Sequence, residues 1–264
     1  MKHQAKKRFG QNFLVDQAVI ASLVNAIQPE NNQTIIEIGP GLGALTKPLL
    51  NSITELHVVE IDRDIVSWMK TEYALPTYKK NNLIIHNVDA LKFDFSSLGD
   101  SLRIIGNLPY NISTPILFHL LENIPNIVDM HFMLQKEVVE RMVAQPSTSA
   151  YGRLSVMLQY YLQMDYLITV PPEAFKPAPK VESAFVRCIP HAKLPFIAKD
   201  ATLLSKVVLA AFSQRRKTIR NTLKPYLNND DFAALGIDSQ LRAQNLSVGT
   251  FVSIANHLNA LSAK

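Results

Sequence analysis

The stretch Thr34-Ile35-Ile36-Glu37-Ile38-Gly39-Pro40-Gly41-Leu42-Gly43-Ala44 decides the fold of this chain. Its β-branched apolar start is typical of a buried strand, and its glycines predict a tight turn that opens a helix. Such a turn lets the backbone approach a ligand, and the helix N-terminus beyond it favours an anionic group. Glu60 closes the next apolar run, 21 positions after Gly39, where a carboxylate can bind a ribose diol. A nucleoside cofactor is therefore expected, with a ligand-free glycine turn as the alternative.

The rest of the chain repeats this alternation of strand and helix. Asp16 is a candidate N-cap for a helix that reaches about Gln28. The strands predicted are Thr34–Ile38, Leu56–Ile61, Leu83–His86, Leu102–Gly106, Val128–Leu134, Tyr166–Val170 and Ser183–Ile189. The helices predicted between them are Ala44–Leu50, Asp62–Tyr73, Thr114–Leu121 and Lys136–Val143, and helices alone follow Pro190, for instance Leu203–Phe212, Thr218–Tyr226 and Val248–Leu261. We expect a doubly wound, mostly parallel sheet in residues 1–192 and a small all-helical domain in residues 193–264.

The composition narrows the class of protein. Of 264 residues, 47% are hydrophobic, which is ordinary for a globular chain with a real core. Cys188 is the one cysteine, so the sequence excludes an internal disulfide framework and a cysteine-based metal site, as a reducing cytoplasm permits. Apolar runs fall short of the ~20 residues that span a bilayer. We expect a cytoplasmic, monomeric protein without a resident metal or a membrane anchor.

Positive charge is concentrated at the end of the chain. The net charge is +5, but residues 191–264 carry 10 Lys and Arg against 4 Asp and Glu. A second basic cluster, Lys6-Lys7-Arg8, lies near the N-terminus. Nucleic acid is the commonest polyanionic partner for such a distribution, and a merely solvated basic surface is the alternative.

Acidic residues indicate which nucleoside cofactor binds. Asp89 follows the third strand, so it lies at the same sheet edge as Glu60, where it can accept a hydrogen bond from an adenine amine. Carboxylates have no advantage beside pyrophosphate but suit a sulfonium cation. Together with Glu37, which is either part of the site or a strand-end residue that binds the loop, they favour S-adenosylmethionine over NAD.

The segment Asn107-Leu108-Pro109-Tyr110 ends another predicted strand and suits a flat, amine-bearing ring. The Asn107 side-chain oxygen and the Leu108 carbonyl can accept both protons of an exocyclic amine. Pro109 has a fixed φ and no N–H to donate, while Tyr110 offers a face for stacking. The alternative is an ordinary proline turn with asparagine as a turn former.

These motifs together resemble the ribosomal RNA adenine N6-dimethyltransferase family. The matching segments, in order along nearly the whole chain, are residues 9–14, 37–43, 59–62, 87–90, 106–113, 175–183 and 212–221. In detail the chain is similar to the bacterial enzymes of this family that act on 16S rRNA. The resemblance implies the class I S-adenosylmethionine-dependent methyltransferase fold with a small helical C-terminal domain.

The resemblance also implies roles for individual residues. Cofactor contacts are expected from Asn12, Leu14, Gly39, Gly41, Glu60, Asp89 and Asn107. The catalytic group comprises Asn107, Leu108, Pro109 and Tyr110, with Phe175 covering the second face of a flipped adenine rather than serving only as a core anchor. The substrate implied is a pair of adjacent adenines near the 3′ end of 16S rRNA, in an immature 30S subunit.

Contact with RNA phosphates is expected from two groups of basic residues, Lys6, Lys7 and Arg8, and Arg215, Arg216, Lys217 and Arg220. Arg216 and Arg220 are predicted to lie one turn apart on one face of a helix. A solvated helix face is the alternative for such a charge run.

Three other functions compete with this one. A large-subunit rRNA adenine dimethyltransferase of the macrolide-resistance type would share the pocket. A subunit assembly factor whose methylation is incidental would share the RNA-binding surface. An NAD-dependent oxidoreductase would share the glycine-rich turn, but Asn107–Tyr110 disfavours it.

Overall fold

The computed structural model describes residues 12–75, 82–110 and 112–262. The strands are β1 (Phe13–Leu14), β2 (Thr34–Ile38), β3 (Glu55–Val59), β4 (Asn82–His86), β5 (Leu102–Asn107), β6 (Ile127–Gln135), β7 (Leu162–Val170), β8 (Phe175–Lys176) and β9 (Ser183–Pro190). The helices are α1 (Gln17–Ile27), α2 (Thr46–Ser52), α3 (Arg63–Glu72), α4 (Ser113–Leu121), α5 (Lys136–Val143), α6 (Arg153–Tyr161), α7 (Ala201–Ala211), α8 (Ile219–Thr222), α9 (Asn229–Ala234) and α10 (Val248–Ser262).

Seven strands form the main sheet, in the order β4-β3-β2-β5-β6-β9-β7. Strands β4, β3, β2, β5 and β6 are parallel to their neighbours, whereas β9 is antiparallel to β6. The strand order reverses at β2, which pairs with β3 on one side and β5 on the other. Ligands of doubly wound sheets bind at the carboxyl ends of the strands at such a reversal. The expected fold class, a mostly parallel Rossmann-like sheet, is confirmed.

Burial of the central strands explains their composition. Ile35, Ile36 and Ile38 of β2 are each 2% exposed or less, as are Ile104 and Ile105 of β5. Helices on both faces of a parallel sheet exclude water from both sides, so these strands are continuous apolar runs rather than alternating ones.

Two aspartates set the starts of helices that flank this sheet. Asp16 accepts hydrogen bonds from the backbone of Ala18 and Val19 at the start of α1, as its sequence position predicts. Asp62 likewise accepts from the backbone of Asp64 at the start of α3. Each cap satisfies backbone N–H groups that the helix itself leaves unpaired.

Some elements differ from those expected. The helix predicted over Thr218–Tyr226 is shorter, because α8 spans only Ile219–Thr222. Helices α6 and α9 and the small pair of strands β1 and β8 are additional. The β1–β8 pair joins Leu14 to Phe175, more than 150 residues apart, so local sequence periodicity carries no signal for it.

Residue contacts divide the chain into two compact units. The first holds the described residues up to Val139 together with Asp165–Pro190, and the second holds Glu140–Met164 with the described residues from His191 onward. The second unit therefore includes α6, a segment that a single division at 192/193 would assign to the sheet domain. In this unit α7 packs against α6 and α10, and the rings of Tyr151 and Phe251 flank that of Phe212.

No helix within residues 12–75, 82–110 and 112–262 is long and apolar enough to cross a membrane. In the same part of the chain, no group of three or more His, Cys, Asp or Glu side chains is arranged to hold a metal ion.

Candidate active site

Five segments of the first unit enclose a cavity of about 190 Å³ at the carboxyl ends of the parallel strands. They are residues 12–14, 37–42, 59–61, 88–91 and 107–110, and Ala44, Leu45, Ile65 and Ile112 complete the lining. Every residue predicted to contact a cofactor lines this cavity: Asn12, Leu14, Gly39, Gly41, Glu60, Asp89 and Asn107. Leu108, Pro109 and Tyr110 line it too. The sheet therefore brings together residues that the sequence separates by almost 100 positions.

The glycine-rich turn shapes one wall of the cavity. Gly39 and Gly41 have φ values of 66° and 54°, the left-handed region that costs other residues energy. A Cβ on Gly41 would lie only 3.2 Å from the Phe13 ring, and one on Gly39 would lie 3.8 Å from the Asn107 carbonyl oxygen. Backbone conformation therefore favours glycine at both positions, and at Gly41 the Phe13 ring leaves little space for a side chain as well.

Glu60 presents a buried carboxylate to the cavity. The residue is 6% exposed, and its Oε1 accepts a hydrogen bond from the backbone N–H of Asp62 at 2.8 Å. Burial raises the pKa of Glu60, while the backbone N–H of Asp62 opposes that rise. A donor such as a hydroxyl group on a ligand would lower the energy of this desolvated carboxylate.

Glu37 lies deeper than Glu60, and the sequence leaves its role open. It is 2% exposed, and the hydroxyl of buried Thr46 donates to its Oε2 at 2.6 Å. Burial raises the pKa of Glu37 to about 7, the Thr46 hydrogen bond opposes this rise, and the charge of Glu60 adds to it. The partner of Glu37 is therefore a helix side chain, and not the loop backbone that the alternative interpretation invoked.

Asp89 follows β4 and lines the cavity. Its Oδ1 accepts from the backbone N–H of Leu91 at 3.0 Å, which caps the short helix Ala90–Lys92. This contact restrains the carboxylate. Among the described residues that line the cavity, none is a lysine or an arginine. The walls therefore suit a cationic or neutral ligand better than a pyrophosphate.

Asn107 is the last residue of β5, and its amide is oriented by the segment before β1. Its Nδ2 donates to the main-chain carbonyl oxygen of Asn12 at 3.2 Å. With the nitrogen engaged in this way, Oδ1 is the amide atom that can accept from a ligand. Leu108 is 1% exposed, and its backbone N–H donates to the Met133 carbonyl of β6 at 3.1 Å. The backbone of this turn is thereby tied to the sheet.

Tyr110 is half-buried and is held at both ends. Its hydroxyl lies 2.7 Å from Oγ of Ser183, and its carbonyl oxygen accepts from the Ser113 hydroxyl at 3.1 Å. Burial raises the pKa of Tyr110, while its hydrogen bond with Ser183 opposes that rise. The phenol is therefore neutral at physiological pH, and it points toward β9.

Phe175 does not lie where a residue that covers the second face of a flipped adenine would be expected. The residue is only 2% exposed, it pairs with Leu14 in the small β1–β8 sheet, and it packs in the main hydrophobic core. It does not line the cavity. In this arrangement a flipped base cannot stack on its ring, because the ring is already covered by core side chains.

The second basic group lies in the second unit. Arg215, Arg216, Lys217 and Arg220 are all exposed. The first three lie in the turn before α8 rather than within a helix, so Arg216 and Arg220 do not share one helix face as expected. The guanidinium of Arg215 donates to the Ser149 carbonyl at 2.5 Å, which holds the turn. The other predicted group, Lys6, Lys7 and Arg8, lies outside the described residues.

Sequence reasoning missed three hydrogen bonds that shape the site. They run from Asn107 to Asn12, from Thr46 to Glu37, and between Tyr110 and Ser183. Two of them join residues that are far apart in the sequence: Asn107 and Asn12 by 95 positions, and Tyr110 and Ser183 by 73. Only the presence of Ser183 within the matching segment 175–183 could have signalled one of them.

Comparisons with known proteins agree with this geometry. The family model described as ribosomal RNA adenine dimethylase matches residues 2–260. The ribosomal RNA small subunit methyltransferase A of Methylobacillus flagellatus is 65% identical over 98% of this chain and 100% of its own length. That of Nitrosospira multiformis is 57% identical over 98% of each.

Among solved structures, a dimethyladenosine transferase from Plasmodium falciparum matches with a TM-score of 0.81 at 24% identity, over 95% of this chain and 98% of that one. The 23S rRNA methyltransferase ErmE matches with a TM-score of 0.71 at 22% identity, over 94% and 100%. At these identities the likeness shows a shared fold. The family match, by contrast, spans the sheet, the cavity and the turn that carries Arg215, Arg216 and Lys217, here called the basic turn, and on that ground this chain belongs to the ribosomal RNA adenine dimethylase family.

Proposed function

We propose that this protein transfers methyl groups from S-adenosylmethionine to N6 of two adjacent adenines in the 3′-terminal hairpin of 16S rRNA. The product is N6,N6-dimethyladenosine, formed during small-subunit assembly. The observation that carries this proposal is the orientation of the Asn107 amide: Nδ2 donates to Asn12, which leaves Oδ1 as the acceptor, and Asn107 and Leu108 both line the cavity. The small-subunit names of relatives that are 57–65% identical over nearly the whole chain support the choice of rRNA.

The cavity fits the methyl donor by its chemistry. Glu60 and Asp89 offer acceptors for the hydroxyls of a ribose and the amine of an adenine, and apolar Leu42 and Ile61 offer surfaces for the ring. S-adenosylmethionine supplies an electrophilic methyl group on a sulfonium cation. The Glu60 and Asp89 carboxylates in the cavity wall stabilise that positive charge. A wall of lysines and arginines, which bind phosphates, would not.

Asn107 and Leu108 act on the target amine. The N6 lone pair of adenine is delocalised into the ring, so the free amine is a poor nucleophile. Two acceptors, Asn107 Oδ1 and the Leu108 carbonyl, bind the two N6 protons in a geometry that suits a pyramidal nitrogen. This arrangement localises the lone pair and stabilises the transition state more than the ground state. The proton of the methylated product is lost to water, so no general base is needed.

Tyr110 covers one face of the target adenine. The base must leave its stack to reach the cavity, at a cost of a few kcal/mol. Stacking on a fixed aromatic ring offsets part of that cost. Phe175 would cover the other face only after leaving the core.

The basic turn positions the RNA. Arg216, Lys217 and Arg220 are exposed cations without an interior role, and each can contact a phosphate. Lys6, Lys7 and Arg8 extend this set, and a partly assembled 30S subunit is the proposed partner of the monomeric protein.

The test is tritiated methyl transfer from S-adenosylmethionine to under-methylated 30S subunits, with 50S subunits alongside and nuclease mapping of the product. Dimethyladenosine at two adjacent adenines near the 3′ end of 16S rRNA is expected. Transfer to 50S subunits alone would instead identify the large-subunit activity. Tight subunit binding without transfer to either would identify an assembly factor.

A further inference from the structure

A buried hydroxyl outside the cavity holds the aromatic ring at its wall. Ser183 is 0% exposed and does not line the cavity, yet its Oγ lies 2.7 Å from the hydroxyl of Tyr110, which does. A fully buried hydroxyl is costly unless it is hydrogen-bonded, so this contact satisfies Ser183 and restrains the phenol together.

The sheet fixes the position of Ser183. Ser183 is the first residue of β9 and pairs with Gln135 at the end of β6. Just before it, the carbonyl of Glu182 accepts from the backbone N–H of Lys136 at 3.0 Å, and the two side chains pair at 2.8 Å. The ion pair is exposed and contributes little, but the main-chain bond and the strand pairing anchor the serine.

We infer that Ser183 is a positioning residue for methyl transfer, acting through Tyr110, whose ring face it holds against the target adenine. The inference rests on the proposed function. A tyrosine ring on a turn can rotate about χ1 and χ2, and a hydrogen bond at its far end removes that freedom. The Ser113 hydroxyl fixes the Tyr110 backbone, and the hydrogen bond to Ser183 restrains the ring. Because the phenol oxygen is engaged with β9, the ring face rather than the hydroxyl is left for the base.

This arrangement predicts a particular kinetic signature. The basic turn, and not Tyr110, governs docking of the subunit, so removal of the restraint leaves KM for the subunit unchanged. The cofactor site likewise keeps its hydrogen-bonding groups. The flipped base is held less often in the reactive pose, so kcat falls. When kcat is calculated per site that binds S-adenosylmethionine in calorimetry, a smaller fraction of folded protein does not lower it.

The experiment is a double-mutant cycle of Ser183→Ala and Tyr110→Phe, measured by steady-state methyl transfer to under-methylated 30S subunits. Each single variant is expected to lower kcat about tenfold, as removal of one buried hydrogen bond predicts. The double variant should be no slower than either single variant, because both remove the same hydrogen bond. The affinity for S-adenosylmethionine, measured by calorimetry without RNA, and KM for the subunit should stay within about twofold.

Ser155→Ala is the matched control, since Ser155 is another 0% exposed serine whose hydroxyl is bonded, in the second unit. It should keep full kcat. A kcat of Tyr110→Phe within twofold of the unmodified protein, or multiplicative effects of the two substitutions, would overturn the inference. If Ser183→Ala fails to fold, Tyr110→Phe removes the same hydrogen bond and decides alone. An unmodified protein that transfers no methyl group would instead overturn the proposed function, and the inference with it.

Discussion

The side-chain nitrogen of Asn107 and the main-chain oxygen of Asn12 lie 3.2 Å apart. This hydrogen bond joins the end of β5 to the segment that precedes β1, across 95 positions of sequence. It assigns the two ends of the Asn107 amide, because a carbonyl can only accept. The same hydrogen bond thus closes one side of the cavity and orients the proposed acceptor.

Replacement of Asn107 tests the acceptor model. Asn107→Ala removes an acceptor used mainly in the transition state, and we expect kcat to fall by about 10²–10³. Binding of 30S subunits should remain within about twofold, because the phosphate-binding residues are elsewhere. The measurements are methyl transfer and filter binding on the same preparation. Asn107→Asp is the matched variant, since it keeps acceptor oxygens but sets a carboxylate against the Asn12 carbonyl. Normal turnover in Asn107→Ala would falsify the model.

The basic turn predicts a salt-dependent defect. Arg216→Glu together with Lys217→Glu leaves Arg215 and its bond to Ser149 intact, and it should weaken RNA binding strongly at low salt. The slope of log affinity against log salt should become shallower by about 0.7–0.9 for each phosphate that the variant no longer neutralises.

The control for this charge reversal is Lys70→Glu together with Lys47→Glu, which makes the same charge change in the first unit. Because salt screens charges that do not contact the RNA, the control should reduce affinity only slightly. An identical slope for both double variants would assign the RNA contact to another surface.

Glu37 predicts a stability effect that depends on pH. Burial raises its pKa to about 7, so the folded protein holds a proton that the unfolded chain releases above about pH 4.5. Stability contributed by this proton is present at low pH and is lost as the pH rises to about 7. Glu37→Gln should therefore resemble the unmodified protein at pH 5 and exceed its free energy of unfolding by up to about 3 kcal/mol at pH 8.

Urea denaturation without cofactor at both pH values checks this effect. Glu140→Gln, at an exposed position, serves as the control and should change stability little at either pH. A Glu37→Gln variant that is less stable than the unmodified protein at pH 8 would contradict the expectation.

Replacement of the buried His131 by an apolar residue is expected to raise the free energy of unfolding. His131 is 1% exposed on β6, and neither ring nitrogen has a hydrogen-bond partner in the part of the chain that the structure describes. Burial lowers the pKa of His131 to about 4. The charge of Asp129 opposes this decrease, and the charges of Arg103 and Arg187 add to it. The histidine is therefore a neutral, unsatisfied polar group in the core, which costs free energy.

We expect His131→Leu to raise the free energy of unfolding by about 1–2 kcal/mol at pH 7.5. At pH 5 the gain should grow by about 2 kcal/mol, because the unfolded histidine is then protonated while the folded one is not. Urea melts at the two pH values measure both quantities. A constant difference would show that the ring is charged in the folded protein.

Local pattern predicted most of the sheet. The strands at Thr34–Ile38 and Ser183–Pro190 and the helix at Lys136–Val143 begin at the positions that periodicity indicates. The signal of these strands is local, because a strand buried on both faces must be apolar throughout. Helix α8 was overestimated, since Pro225 has no N–H to donate and disfavours the helical conformation of the residue before it.

The cavity residues were predictable for a topological reason. Parallel strands end at one edge, so Gly39, Glu60, Asp89 and Asn107, which each follow or end a strand, had to meet there. Phe175 was not predictable, because an aromatic residue in a loop can face either a ligand or the core. Pairing of β8 with β1 turns it into the core.

By itself the sequence determined the alternation of strands and helices, the family, and the set of residues that reach the carboxyl edge of the sheet, since these follow from short-range pattern and motif spacing. Only the tertiary structure decided which of those residues are oriented and by what. The direction of the Asn107 amide, the raised pKa of Glu37 and the restraint of Tyr110 by Ser183 each depend on a partner brought close by folding. Hydrogen bonds and desolvation act over a few ångströms in space, a separation that the order of residues along the chain does not encode.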